Sequence, residues 1–222
     1  MFKLGDLEFD VKEAVFHGCF YDAAMSKRNY LKGVEELLWH IDIHMESGKF
    51  ITKLSDEEQA ELDEGEEPFF ETVLPYLYHN NGFKIDVRSW KDIEKIVLNW
   101  DSEYNENDEE AGNLYVFEHE EITKGKIEFL ERKENKFLIR WTGTANVYWN
   151  DEYGADVPFS YEGEVVFNGI NAHCITISAL DELKSFMKDF INLDEFDCVA
   201  EESRKNGTST DYTWKFKPNN ID

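Results

Sequence analysis

Apolar and polar residues alternate along much of this chain, and a period of two marks strands with one face in a core. The longest run is Phe137 to Trp149. One face carries Phe137, Ile139, Trp141, Gly143, Ala145, Val147 and Trp149, and the other carries Leu138, Arg140, Thr142, Thr144, Asn146 and Tyr148. A strand this long bends, and Gly143 is the natural place for a bulge or kink. A partner follows with Val157, Phe159, Tyr161, Val165 and Phe167 in alternation, joined through a loop over Asn150–Ala155. Lys126–Arg132 reads as another strand, ending in a turn at Glu134 and Asn135. Trp39, Ile41, Ile43 and Met45 alternate with His40, Asp42, His44 and Glu46, before a tight Ser47-Gly48 turn into Phe50–Leu54. Glu13–Tyr21 is a further strand. Asn206-Gly207 is the strongest short hairpin signal, joining Phe196–Ser203 to the set Thr208, Thr210, Tyr212, Trp214 and Phe216.

Helical patterns are fewer. Ser178 with Asp181 reads as a capping box ahead of Leu180, Leu183, Met187, Phe190 and Ile191, which share a helical face. Ser89 with Asp92 caps a second candidate carrying Trp90, Ile93, Ile96, Val97 and Trp100. Ser55 with Glu58 opens a short acidic helix ending near Gly65. Phe69–Tyr78 is ambiguous, because Pro68 suits a helix start and Pro75 interrupts its middle. Sequential hairpins favour antiparallel pairing. The pattern therefore predicts an α+β fold: mostly antiparallel β-sheet in long twisted hairpins, with about three short helices. Residues 1–222 read as a single compact domain, with a weak boundary candidate at the polar stretch 101–113.

Composition sharpens this picture. Six Trp, ten Tyr and seventeen Phe argue for a real core and against an acidic disordered chain. Cys19, Cys174 and Cys198 are odd in number and far apart, and the first ten residues lack a basic-then-apolar leader. The expectation is a reducing, cytoplasmic setting with buried free thiols, in which the sequon at Asn206 has no meaning. No apolar run approaches the ~20 residues of a membrane-spanning helix.

Charge then sets the functional reading. The chain holds 48 Asp and Glu against 23 Lys and Arg, a net charge of −25. Such a surface repels nucleic acid and anionic membrane and attracts basic proteins or cations. The excess is gathered in two runs. Ser55–Glu67 holds eight carboxylates, among them Glu57, Glu58, Glu61, Asp63, Glu64, Glu66 and Glu67; Asp101–Glu110 holds six, namely Asp101, Glu103, Glu106, Asp108, Glu109 and Glu110. The second run does not make an EF-hand loop, since Glu106 stands where Gly must turn and Gly112 where the bidentate Glu belongs. Both runs, with Tyr104 as an aromatic anchor, are candidate contacts for a basic partner.

Other constellations point elsewhere. In a strand, His40, Asp42 and His44 project from one face, and imidazole and carboxylate there can hold a divalent metal; a helical reading instead aligns Glu36, His40 and His44. Trp39, Trp141, Trp149, Tyr148, Tyr153, Trp214 and Tyr212 divide into in-facing core candidates and the loop or off-face residues Tyr148 and Tyr153, which with Tyr104 suit ligand contact. His173 and Cys174 are adjacent in a strand and point apart, so they form no dyad. His17, His79 and His119 stand isolated in the sequence. No nucleophile elbow, Walker loop or dinucleotide fingerprint is present. The expected function is an acidic cytoplasmic binding protein of the inhibitor or immunity type, blocking a basic toxin or nuclease and needing no cofactor. The alternatives are a non-inhibitory interaction or chaperone-like module, and a metal-dependent enzyme using the His40, Asp42 and His44 face.

Overall fold

Alternation becomes burial most plainly at Lys136–Val147, where Phe137, Ile139, Trp141, Ala145 and Val147 are all fully buried. In the computed structural model, described for residues 1–29, 31–51, 56–62, 65, 69–79, 82–101, 112–148 and 153–219, strand dominates. The strands are β1 (Phe2–Leu4), β2 (Leu7–Phe9), β3 (Val11–Tyr21), β4 (Glu36–Met45), β5 (Gly48–Ile51), β6 (Phe69–Thr72), β7 (Tyr76–Tyr78), β8 (Val97–Asp101), β9 (Asn113–Tyr115), β10 (Glu120–Lys133), β11 (Lys136–Val147), β12 (Gly154–Cys174), β13 (Phe196–Asn206) and β14 (Ser209–Pro218). Among the described residues, three α-helices, α1 (Ala23–Arg28), α2 (Asp56–Glu61) and α3 (Leu180–Met187), accompany them.

The hydrogen-bonded ladder returns to its start. Going round, β11 pairs with β10, β10 with β9, then β7, β4, β3 and β12, and β12 pairs again with β11. Every step is antiparallel except β3 with β12, which is parallel. Hairpin signals gave no hint of that step, because its two strands lie far apart in the chain. The long β12 makes closure feasible. Its first half lies on β11 and its second half on β3 and β14, with a register shift between Phe167 and Ile170. Gly169 sits in that shift at φ 92, and a Cβ there would fall 2.0 Å from the Phe216 carbonyl oxygen, so no larger residue fits.

The interior of this ring is the core. Phe16 of β3 stands at its centre, with ring centroids 5.3 Å from Trp39, 5.2 Å from Phe129, and 5.5 Å from both Phe137 and Phe167. These rings come from five different strands, so each strand's inward face is defined by the same aromatic cluster. Residues 101–113, the weak boundary candidate, fall between β8 and β9, which pair with the same strand, β10.

Several local expectations are corrected. Gly143 makes no bulge: it stays in register with Gly125 and Phe159, while the shifts in β10 fall at Thr123 and Leu130. Its role is close approach, since a Cβ would sit 2.2 Å from the Lys124 carbonyl oxygen. Ser89 does cap Lys91, but the helix lasts only for the 3-10 turn Trp90–Ile93. Lys95 then turns at φ 70, and Lys95 N–H and Ile96 C=O bond Phe129. Capture by β10 thus draws Val97–Asp101 into strand. At α3 the N-cap is Ala179 with no side-chain bond, so Ser178 makes no capping box. The strand expected over Phe50–Leu54 starts earlier, at Gly48, and pairs with β6 in a separate small sheet, while residues 52–54 lie outside the described residues. The segment Phe69–Tyr78 resolves into β6 and β7 on either side of Pro75. The last hairpin turns at Gly207-Thr208, one residue later than expected, with Asn206 paired to Ser209. The connection after β11 lies two residues earlier than Asn150–Ala155, because β11 ends at Val147 and β12 begins at Gly154.

Candidate functional site

Inward Trp39, Ile41, Ile43 and Met45 turn His40, Asp42 and His44 to the outside of β4. The strand reading of these residues therefore holds, and the helical one does not. Neighbouring strands complete the face. His17 of β3 lies directly opposite His40, and the two rings stack at 5.2 Å with 11° between planes. His17 Nδ1 is 3.4 Å from Asp42 Oδ2, and the Tyr76 hydroxyl donates to Asp42 Oδ1 at 2.5 Å. Asp42 thus spends one oxygen on β3 and the other on β7.

From Asp42 an aromatic strip runs outward. His44 and Tyr76 stack at 4.3 Å, Tyr76 and Tyr78 at 4.7 Å, and Tyr78 and Tyr115 at 5.9 Å. His119 closes the strip with its ring 4.2 Å from Tyr115 and a 2.7 Å hydrogen bond between its Nδ1 and the Tyr115 hydroxyl. The turn that holds His119 there is organised by buried Glu120, whose carboxylate accepts from the N–H groups of Val116, Phe117 and Glu118. Tyr76, Tyr78 and Tyr115 are half-buried, while His44 and His119 are exposed.

Just ahead of β7 in the chain lies an apolar tip. Val73 is 70% exposed and Leu74 78% exposed, and Leu74 holds a left-handed φ of 53. Met45 N–H donates to the Pro75 carbonyl at 2.9 Å, so the tip is pinned beside the end of β4. Exposed carboxylates stand next to this strip: Glu13 lies opposite His44, Glu46 follows the end of β4, and Glu118 precedes His119.

The electrostatics favour neutral rings over chemistry. Burial pushes the His40 imidazole down to about 4, helped by His17, although Asp42 and a hydrogen bond with the His79 backbone oppose the shift. His79 falls to about 3 through burial and the neighbouring His40. His17 is lowered by burial, with Asp42 pulling the other way. The Tyr76 phenol is raised by burial and by its bond to Asp42, so it stays protonated. Cys19, on the same face of β3, is pushed up to about 12 by burial, so it is a thiol and a poor nucleophile. His173 does point away from buried Cys174.

Metal binding gains nothing from this arrangement. His40 and His44 are four residues apart in a strand, a span of about 13 Å, and His44 stacks on Tyr76 instead. Among the described residues no group of three or more His, Cys, Asp or Glu side chains could hold a metal ion.

The expected partner contacts are only partly described. Glu57 and Glu61 are exposed on α2, Glu58 belongs to the same helix, and Asp101 ends β8. Asp63, Glu64, Glu66, Glu67, Glu103, Tyr104, Glu106, Asp108, Glu109 and Glu110 lie outside the described residues. Of the aromatics singled out in the sequence, Trp39, Trp141 and Trp214 are core, Tyr148 is exposed, Tyr153 and Tyr212 are half-buried, and Trp149 lies outside the described residues. Sequence reasoning missed His17, Tyr76, Tyr78 and Tyr115. Only the alternation Tyr76-Leu77-Tyr78 signals any of them; the rest depend on cross-strand register. No helix among the described residues is long and apolar enough to cross a membrane. Comparison with protein-family models, with curated proteins and with solved structures finds no match for this chain.

Proposed function

We propose that this chain is an acidic binding protein that blocks a basic partner, such as a toxin or nuclease domain, by electrostatic and steric occlusion in the cytoplasm. The observation that carries the reading is where the charge enters the fold. The runs 55–67 and 101–110 hold fourteen carboxylates and no Lys or Arg, against a net charge of −25 for the whole chain. The first run lies between β5 and β6, and the second lies between β8 and β9. In the chain, the first run precedes β6 and β7 and the second precedes β9, the strand that pairs with β7. A nuclease domain is basic because it holds phosphates, and an acidic surface of matching extent competes for the same Lys and Arg groups. Free Cys19, Cys174 and Cys198 suit a reducing compartment.

The test is affinity capture from the source lysate with stepwise salt elution. One basic protein, recovered near one-to-one and held above about 0.15 M salt, where exposed charges are screened beyond ~8 Å, supports the reading, and its activity should fall when this chain is added. A diffuse set of basic proteins released at low salt refutes it.

A further inference from the structure

Charge steers partners together but seldom sets how long they stay, and lifetime depends on a desolvated centre. The outer surface offers one such centre. Exposed Val34, Val97, Phe186 and Val199 are single residues scattered over the fold and need no explanation. Val73 and Leu74 differ in being consecutive, largely exposed and, across Pro75, next in the chain to β7, whose Tyr76 and Tyr78 stack on each other and on Tyr115. A second observation is independent of exposure. Leu74 occupies the left-handed region at φ 53, where Gly, Asn or Asp fits better. A leucine held out to solvent in an unfavourable backbone conformation points to a task outside the fold.

We infer that the Val73–Leu74 tip and the Tyr76, Tyr78 and Tyr115 strip form the docking centre for a basic protein that presents an apolar anchor within a ring of Lys and Arg. The inference rests on the reading of the chain as an acidic binding protein and assigns its contacts. The apolar anchor packs on Leu74 and the tyrosines. The partner's cations meet Glu13, Glu46 and Glu118 beside them, in the arrangement of apolar core and charged rim common at interfaces. The chain itself shows a cation on an aromatic ring: Lys49 Nζ lies 4.4 Å from the centroid of Phe69. The acidic runs then govern encounter, and the strip governs dissociation.

Two synthetic probes separate the claims: an amphipathic helical peptide with a Leu face and a Lys face, and a Gly/Ser peptide of equal length and positive charge. Backbone amide spectra are recorded with each at 0.02 and 0.15 M salt. The amphipathic peptide should shift amides in 73–78 and 113–119, and at 0.15 M it should bind about tenfold more tightly than the polar one. Leu74→Asn removes the apolar group without changing charge and suits the left-handed backbone, so folding is kept. It should abolish the tenfold advantage and leave binding of the polar peptide unchanged. Equal affinity of the two peptides, shifts confined to other faces, or an unaffected Leu74→Asn variant overturns the docking assignment. Failure of both peptides to bind even at 0.02 M overturns the acidic-binder reading beneath it, and the docking assignment with it.

Discussion

Asp22 joins the end of β12 to the start of α1, and its removal has a calculable cost. The side chain is fully buried. Oδ1 accepts from Met25 N–H at 2.7 Å and so caps α1. Oδ2 accepts from the N–H groups of Ile175 and Thr176, both at 2.7 Å, and from the Thr176 hydroxyl at 2.9 Å. Asp22→Ala leaves these three backbone donors without this acceptor, at about 1–3 kcal/mol each, so a loss of at least about 3 kcal/mol is expected. Asp22→Asn keeps one acceptor oxygen but turns an amide NH2 toward other donors, with a loss of about 2–3 kcal/mol. Burial alone would raise the Asp22 carboxyl, but the bonds from Met25, Thr176 and Ile175 outweigh it and hold the group below its ordinary value. A folded value below the unfolded one, about 3.9, means that this stabilisation is complete well above that pH. It is lost as pH falls through the folded value. Urea unfolding of wild type and variants at pH 7, 5 and 3.5 should show a gap that is constant from pH 7 to about 5 and narrows below about 4. An Asp22→Ala loss under about 1 kcal/mol at pH 7, or a gap that widens in acid, refutes the argument.

Burial holds His40 at about 4 and His79 at about 3, below the ordinary ~6.5, so the unfolded chain binds more protons in that window. Stability should fall as pH drops from about 6.5 towards about 4, and imidazole NMR at pH 5.5 should show both rings neutral; a protonated ring there contradicts the packing described. Cys19 and Cys174, both buried and pushed up to about 12, should resist a thiol reagent that labels half-buried Cys198 first. Native protein should therefore give one prompt equivalent, with the other two thiols released only in guanidinium. Gly143→Ala forces a Cβ to within 2.2 Å of the Lys124 carbonyl oxygen and 2.6 Å of the Phe159 ring. It should cost about 1–3 kcal/mol in chemical denaturation, and a neutral result would show that β10 and β11 can part there.

Much of the sheet was legible because burial follows alternation. The inward sets of β4 and β11 are those that period two selects, and the Asn206-Gly207 signal locates the last hairpin to within one residue. Helix starts were less legible. Ser89 does cap, but a cap cannot say how far a helix extends, and backbone bonds to Phe129 redirect the chain after Ile96. Ring closure was not legible at all, since the parallel pairing of Val15 with Val166 has no local signature. The candidate site shares that difficulty. His17 looks isolated in the sequence and becomes a neighbour of His40 only through the β3–β4 register. Leu74 reads as an ordinary loop leucine until its backbone conformation is known.

Closure through β3 and β12 also sets an order of events during synthesis. Val15 meets Val166 across roughly 150 intervening residues, so the inward face of β3 and β4, with Phe16 and Trp39, waits uncovered while most of the chain leaves the ribosome. Long-range pairing of this kind closes slowly, and an uncovered aromatic face on a paired hairpin is a seed for association with other nascent chains. The carboxylate-rich runs at 55–67 and 101–110 emerge within that interval. Their mutual repulsion keeps half-made chains apart until β12 arrives to seal the ring.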